Sequence, residues 1–297
     1  MHSITAGTGE HTVSMLADSH RMITDGEFRQ LRELIHLHTG IALSDHKRAL
    51  VCARLARRLR HYQFTRYAQY YELLCQGDPD GVELMEMINA ITTNKTDFFR
   101  EAHHFQYLTE RVFPEHRQKK TRRLRLWSAA AATGEEAYSL AMTVREAFAD
   151  APDWDIKILA TDIDTRVLSH AHEGVYTAEQ ATHIEPALLR RYFLKGNGEF
   201  ENRVRVKPAL KALLRFRQLN LLDEPWPMRA PFDVIFCRNV LIYFDKPTQR
   251  RLLERMSTML SLDGFLMLGH AEAIHGFDHL YRAVGHSIYQ SRVGRTA

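Results

Sequence analysis

The spacing of apolar residues changes character along this chain, and the changes divide it. From Thr24, the residues Phe28, Leu31, Leu34 and Ile35 recur at helical intervals, and Gly40 stands where a left-handed C-cap would close that helix. Ser44 or Asp45 is placed to cap a second helix over roughly 46–62, with Val51, Leu55, Leu59 and Tyr62 on one side. Further helices are predicted at about 65–76 and 80–91, broken by Asp78-Pro79. After another helix at about 101–113 the period shortens. Leu124–Trp127 reads as a strand, and an Ala-rich apolar helix opened by Glu135 and Glu136 reaches about Phe148. Ile156–Ala160 is a second strand and 165–173 a helix capped by Asp164. Leu214–Asn220 is a further strand, and Pro231–Cys237 another, almost continuously apolar, as a central parallel strand buried on both faces must be. A helix over 247–260, a strand over 265–269 and a terminal hairpin around Gly285-His286 complete the pattern. Strands alternating with helices predict a doubly wound α/β sheet. Between 175 and 213 the alternation fails: a short helix, Pro186–Phe193, precedes a Gly196-Asn197-Gly198 turn signal, read as a small antiparallel insertion with an exposed edge.

Composition narrows the class. The chain has 297 residues, 45% of them hydrophobic, enough for two packed domains. No apolar run approaches the ~20 residues of a membrane span. The first sixteen residues lack the apolar core of a signal peptide, and residues 1–20 read as a flexible tail. Three cysteines, none in a C-x-x-C, point to a reduced cytoplasmic protein without structural disulfide or zinc. The seventeen histidines show no metal-ligand spacing. The formal charge of +4 is uneven, with Lys and Arg gathered in 47–60 and 117–125. On the second helix Lys47, Arg54 and Arg58 align, flanked by Arg57. This stripe is either a solvated helix face or a docking face for an acidic partner.

The chemistry gathers at Trp127–Ala141, WSAAAATGEEAYSLA. A strand, a turn of small residues and a helix start form the unit above which doubly wound sheets bind ligands. A dinucleotide site would carry G-x-G-x-x-G and leave the helix N-terminus free for pyrophosphate. Here there is one glycine, Gly134, and two carboxylates stand where phosphate would sit. They suit the helix dipole by themselves, and they equally suit a cationic ligand such as S-adenosylmethionine. Asp162 ends the second strand, twenty-eight positions after Gly134, where a carboxylate holds ribose hydroxyls. With Asp164 assigned as the cap of the next helix, Asp162 is left free for that task. The polar stretch TTNKTDFFR, residues 92–100, reads either as loop capping or as a lid, and Arg238-Asn239 follow the central strand where ligands bind.

The basic N-terminal helix, TTNKTDFFREAHHF, WSAAAATGEEAYS, ATDID, RYFLKGNG, QLNLL and FCRNVLIYFD, in this order over residues 25–292, resemble the CheR-type chemotaxis receptor methyltransferases. The resemblance implies a class I (Rossmann-like) methyltransferase domain with a small inserted antiparallel β-subdomain, preceded by an all-α domain. The ranges it implies are 21–91 for a helical receptor-docking domain, 92–101 for a linker or lid, and 102–297 for the methyltransferase domain, with the β-subdomain at about 190–210. It implies transfer of methyl from S-adenosylmethionine to glutamate side chains on the cytoplasmic helices of chemoreceptors, giving γ-methyl esters and S-adenosylhomocysteine. The family's cofactor contacts fall on Asn94, Thr96, Arg100, Glu136, Asp162, Asn220, Leu221, Arg238 and Asn239. Lys47, Arg54, Arg57 and Arg58 correspond to its receptor-docking face, and in some members the β-subdomain takes a tether peptide from the receptor C-terminus.

Arg100 and Tyr243 are candidates for positioning the reacting carboxylate and the methionine end of the cofactor. Members often carry Pro after the Glu pair, where this chain has Ala137, and a third turn Gly where it has Asn202. The expected protein is a monomer that needs no metal, inserts into no membrane and binds no nucleic acid. Two alternatives remain at this level: a class I methyltransferase acting on nucleic acid through the basic helix, and a receptor-binding adaptor without turnover.

Overall fold

The structure is a computed structural model that describes residues 23–229 and 231–292; the tail expected over 1–20 lies outside the described residues. The chain forms two compact units divided between Thr92 and Thr93.

The first unit is helical. Helix α1 (Asp25–Thr39) starts in a capping box: the Glu27 amide donates to Thr24 Oγ1 at 3.2 Å and the Thr24 amide to Glu27 Oε2 at 2.9 Å. Gly40 ends it at φ 72°, a conformation that glycine adopts without steric cost. The second expected helix is split. Ser44 caps a single 3₁₀ turn, Asp45–Lys47, without a side-chain bond, and α2 follows as Arg48–His61. Helices α3 (Tyr67–Gln76) and α4 (Val82–Ile91) complete the unit. Phe28, Leu31, Ile35, Val51, Leu55, Leu59 and Tyr70 are buried in it.

The basic stripe on α2 divides in two. Lys47 and Arg57 are exposed. Arg54 donates to the Ile91 and Thr92 carbonyls. Arg58, with only 14% of its side chain exposed, pairs with Glu83 and donates to Glu86 Oε2 at 3.2 Å. Glu83, 4% exposed, also accepts from Tyr70 at 2.6 Å and from Tyr62 at 2.9 Å. Two of the four cations expected to face a partner are therefore bonded inside the unit.

The second unit holds a seven-stranded sheet in the order β6-β2-β1-β7-β8-β10-β9. Its strands are β1 (Arg123–Ser128), β2 (Asp155–Asp162), β6 (Leu214–Gln218), β7 (Phe232–Cys237), β8 (Leu260–Leu268), β9 (Tyr281–Gly285) and β10 (Ile288–Ser291). The first five in that order are parallel, and β10 runs antiparallel between β8 and β9. The order reverses between β1 and β7, which places the ligand crevice above their carboxyl ends. Every residue of β7 is buried.

Helix α5 (His103–Tyr107), a π-helical turn (Leu108–Val112) and α6 (Phe113–Arg117) precede the sheet where one helix was expected. Helix α7 (Glu135–Ala147) buries ten consecutive residues from Glu135 to Val144, so it is packed on every face. Helix α8 (Thr165–Glu173) follows β2.

A separate three-stranded sheet, in the order β3-β5-β4, comprises β3 (Val175–Thr177), β4 (Phe193–Lys195) and β5 (Arg203–Val206), with α9 (Pro186–Tyr192) between the first two. It begins near 175, where the alternation of strands and helices fails, rather than at about 190 as the resemblance implies. Asn202, which stands where family members often carry a third turn glycine, is not left-handed; Gly198 is, at φ 55°. Gly196 is needed for a different reason, since a Cβ there would lie 1.9 Å from the Phe200 carbonyl oxygen. Short α10 (Pro208–Lys211) leads into β6, and α11 (Lys246–Met259), capped by Asp245, into β8.

The segment expected as a linker or lid is packed into this unit from Thr93 onward. Phe98 is buried against Tyr176 and Phe193, with ring centroids 4.9 and 5.8 Å apart, and the Phe99 amide donates to Ser139 Oγ at 2.9 Å. Cys52, Cys75 and Cys237 are all free thiols. No helix among the described residues is long and apolar enough to cross a membrane.

Candidate active site

Small residues let the loop after β1 pass close to its neighbours. The Ala129 amide donates to the Phe236 carbonyl at 2.8 Å and the Ala131 amide to the Thr161 carbonyl at 2.9 Å, so the loop is tied to both flanking strands. Ala132 sits at φ 46° and Gly134 at φ 98°. At Gly134 a Cβ would meet Ala171 Cβ at 2.8 Å and the Tyr176 hydroxyl at 2.9 Å, so this glycine answers both to backbone conformation and to space.

Asp164 caps α8 as expected, accepting from the Arg166 and Val167 amides. Asp162 is not left free by that assignment. Its Oδ2 accepts from the Ala132 amide at 2.8 Å and its Oδ1 from the Asp164 amide at 3.0 Å, which fastens the β1 loop to the end of β2. A carboxylate has about four acceptor positions, so Asp162 keeps capacity for ligand hydroxyls. Burial pushes its carboxyl pKa up to about 6.

The two glutamates at the start of α7 turn to different partners. Glu135 accepts from Thr133 Oγ1 at 2.6 Å and from Gln180 at 3.4 Å. Glu136 accepts from Ser128 Oγ at 2.6 Å and faces Arg238, whose Nε lies 3.3 Å from Glu136 Oε2. Burial raises both carboxyls above their ordinary range, opposed at Glu135 chiefly by the Thr133 hydrogen bond and at Glu136 chiefly by the Arg238 charge.

Arg238 follows β7 with 2% of its side chain exposed. Its guanidinium lies 5.5 Å from the Phe236 ring centroid and 5.7 Å from that of Phe105, and Nη2 donates to the Arg100 carbonyl at 2.6 Å. Its Nε and Nη1 make no hydrogen bond. Asn239 is left-handed at φ 58°. Its amide donates to Glu272 Oε2 at 2.8 Å, and its Nδ2 donates to Glu101 Oε1 at 3.4 Å.

The remaining predicted residues border this centre. Asn94 Nδ2 donates to Asp164 Oδ2 at 2.7 Å. Thr96 is half-buried. Arg100 donates through Nη1 to the Lys95 carbonyl at 3.0 Å, while its own carbonyl receives Arg238. Asn220, beyond β6, accepts from the Leu222 amide at 3.0 Å, and the adjacent Leu221 is buried. The Leu219 amide donates to the Asp162 carbonyl at 2.9 Å, joining the ends of β6 and β2. Tyr243 lies half-buried in a 3₁₀ turn, Leu241–Tyr243, shortly after Asn239.

Three residues of the centre escape sequence reasoning. Glu101, at φ 57°, brings a second carboxylate to Arg238, its Oε2 lying 3.8 Å from Nε. His104 is fully buried, with Nδ1 3.6 Å from Glu101 Oε2; burial pulls its pKa down to about 3, so the ring is neutral. Glu272 accepts from the amides of Gly269 at 2.6 Å, Asn239 at 2.8 Å and Ile242 at 3.2 Å. It thereby fixes the turn after β7. Their surroundings in the sequence, FFREAHH and GHAEAIHG, are themselves charged and polar, and nothing in them names a partner.

The profile described as "CheR methyltransferase, SAM binding domain" matches residues 94–290. This chain belongs to the CheR methyltransferase family. The family's all-alpha domain matches residues 26–92 of it. The chain is 45% identical over 266 residues to chemotaxis protein methyltransferase 2 of Pseudomonas aeruginosa, covering 90% of this chain and 93% of that one. It is 42% identical over 268 residues to the Escherichia coli chemotaxis protein methyltransferase, covering 90% and 91%. Against the Salmonella typhimurium chemotaxis protein methyltransferase it is 40% identical over 283 residues, covering 95% and 96%.

This CheR-family protein is an S-adenosylmethionine-dependent methyltransferase. Its site fits that ligand on structural grounds. The buried Arg238 Nε and Nη1 and Glu101 Oε2 lack hydrogen-bond partners, at the place where a ligand bearing both ammonium and carboxylate would be held. Among the described residues no group of three or more His, Cys, Asp or Glu could hold a metal ion.

Proposed function

We propose that this chain methylates glutamate side chains on the cytoplasmic helical regions of chemoreceptors, forming γ-methyl esters and S-adenosylhomocysteine in chemotaxis adaptation. The observation that carries the reading is the charge pattern at the switch point: two carboxylates, Glu101 and Glu136, around the buried cation Arg238, the reverse of a phosphate site. The names of the relatives supply chemotaxis.

S-adenosylmethionine, when bound, supplies a methyl group on a sulfonium leaving group. Asp162 is assigned to the ribose hydroxyls. Glu136, Arg238 and Asn239 are assigned to the methionine end, with Asn94, Thr96, Arg100, Asn220 and Leu221 completing the cofactor site. A glutamate carboxylate is a nucleophile at neutral pH and needs no general base. Catalysis then rests on alignment at near-attack distance, worth up to about 7–11 kcal/mol. Arg100 and Tyr243 are the assigned positioning groups. Arg100 holds the cofactor carboxylate or the non-attacking oxygen, because a tight ion pair to the attacking oxygen would blunt it.

Lys47, at the end of the 3₁₀ turn, and Arg57 on α2 present the docking charge, with Arg54 and Arg58 beside them. An open edge of the β3-β5-β4 sheet can accept a receptor tether peptide as an added strand. The protein is read as a cytoplasmic monomer that acts on protein rather than nucleic acid.

The test is methyl transfer from labelled cofactor to membranes carrying chemoreceptors. Label should migrate with the receptor polypeptide and vanish when the glutamates of its cytoplasmic helices are replaced by alanine. Label in nucleic acid, or label that survives those replacements, would overturn the reading.

A further inference from the structure

Three ionisable side chains meet beneath the loop after β7, and their charges do not cancel. Arg238 Nε stands 3.3 Å from Glu136 Oε2 and 3.8 Å from Glu101 Oε2. The side chains are 2%, 10% and 11% exposed, so water screens them poorly. His104 packs against the same group, but burial holds it neutral and it adds no charge. The Arg100 guanidinium is directed to the Lys95 carbonyl, and of the charges acting on Glu136 it ranks below Arg238 and Glu101. By formal charge, two carboxylates and one guanidinium leave the buried group one unit negative.

The hydrogen bonds of the three side chains are unbalanced in the same sense. Glu136 Oε1 is satisfied by Ser128, and Glu101 Oε1 by Asn239 Nδ2. Glu101 Oε2 is buried and has no hydrogen bond, and neither has Arg238 Nε or Nη1. Buried polar atoms of this kind are otherwise hydrogen-bonded, and leaving a charged one unbonded is costly. The group thus lacks one donor that carries positive charge, at Glu101, and one acceptor, at Arg238. The backbone at Glu101 is left-handed, φ 57°, a strained conformation for a residue with a Cβ, of the kind that collects where a side chain is held for a ligand.

We infer that Glu101 is a further cofactor-binding residue, whose unbonded carboxylate oxygen takes the α-ammonium of the methionine end while Arg238, beside Arg100, faces the α-carboxylate. The inference rests on S-adenosylmethionine as the ligand. An ammonium restores charge balance beside Glu101, and its fixed distance from the α-carboxylate matches a site that offers an acceptor and a donor side by side.

The experiment compares ligands that differ only at that end, measured by calorimetry on the full chain. S-adenosylhomocysteine carries the amino-acid end, its desamino analogue lacks only the ammonium, and 5′-methylthioadenosine lacks the whole end. Glu101→Gln should weaken S-adenosylhomocysteine about 10- to 100-fold, the worth of a charged hydrogen bond in a buried site. It should leave 5′-methylthioadenosine unchanged, and it should weaken the desamino analogue no further than the loss of the ammonium already does in the wild type. Equal loss for all three ligands, or no loss for S-adenosylhomocysteine, would overturn the inference. Wild-type protein that bound none of them would overturn the cofactor assignment as well. Should Glu101→Gln fail to fold, Glu101→Asp keeps the charge but withdraws it by one methylene. It must then show the same selectivity between ligands, and its absence counts equally against the inference.

Discussion

Arg238→Met should lose binding of S-adenosylhomocysteine by at least about 100-fold and destabilise the catalytic unit by about 3–5 kcal/mol. The magnitude follows from what remains behind. Methionine fills much of the same volume against Phe105 and Phe236, but Glu136 and Glu101 then share a buried space without their common cation. Removing one partner of a buried ion pair is far costlier than the pair itself is worth, because the remaining charge is left unpaired. The effect has a pH signature. Burial already raises the Glu136 carboxyl above its ordinary value of 4.5, and Arg238 is the main influence pulling it back. Without Arg238 the folded-state pKa climbs further above the unfolded one. The variant's stability is then retained below about pH 4.5 and lost as pH rises through the folded-state value. The gap between wild type and variant should therefore be small in acid and widen toward neutral pH, as read by denaturant unfolding across that range. An Arg238→Met protein as stable as wild type at pH 7 would contradict the arrangement of charges described.

The second large effect is expected at Arg58, and it separates structure from docking. Arg58→Ala should destabilise the helical unit by about 3–5 kcal/mol, since it strips the cation from Glu83, a carboxylate 4% exposed. Burial alone would raise the Glu83 pKa, but hydrogen bonds from Arg58, Tyr70 and Tyr62 outweigh it and hold the carboxyl below 4.5. A lowered folded-state pKa contributes stability that is present above pH 4.5 and disappears as pH falls through the folded-state value. The penalty of Arg58→Ala should accordingly be full at neutral pH and shrink on acidification. Arg57→Ala and Lys47→Ala remove exposed charges and should change stability by no more than about 0.5 kcal/mol. If the stripe is the docking face, these two reduce receptor binding while the unit stays folded. Hydrogen exchange of residues 25–91 reads the stability directly. Equal protection in Arg57→Ala and Arg58→Ala would show that the Glu83 pair carries no structural weight.

Arg58 also shows where sequence reading stops. Its alignment with Lys47 and Arg54 follows from helical period, but its partner lies twenty-five positions away on another helix, and no local pattern couples the two. The large elements are legible because their patterns are long. The continuous apolar run of β7 announces a buried parallel strand, and Gly40 and Asp164 mark helix ends by capping chemistry. β3 is three residues long and shows too little alternation to be read. At the site, polar residues at the ends of parallel strands are legible from topology, so Glu136, Asp162, Arg238 and Asn239 can be named beforehand. The bonds that give each its local role are not. Asp162 fastens the Ala132 loop, and Glu272 holds Asn239 through backbone amides, which a sequence does not display. Glu101 stands beside Arg100 in FFREAHH and is masked by it; only the fold reveals that it meets Arg238.

If a carboxylate accepts the methyl group, the fate of the label shows it. Receptor membranes incubated with this protein and methyl-labelled S-adenosylmethionine are treated with mild base, and volatile label is collected. A γ-glutamyl methyl ester releases its label as methanol, and the account predicts that essentially all protein-bound label is released. Label that stays on the protein or on nucleic acid after base treatment, from an enzyme that binds S-adenosylhomocysteine normally, would contradict it, because methyl groups on nitrogen or carbon survive those conditions.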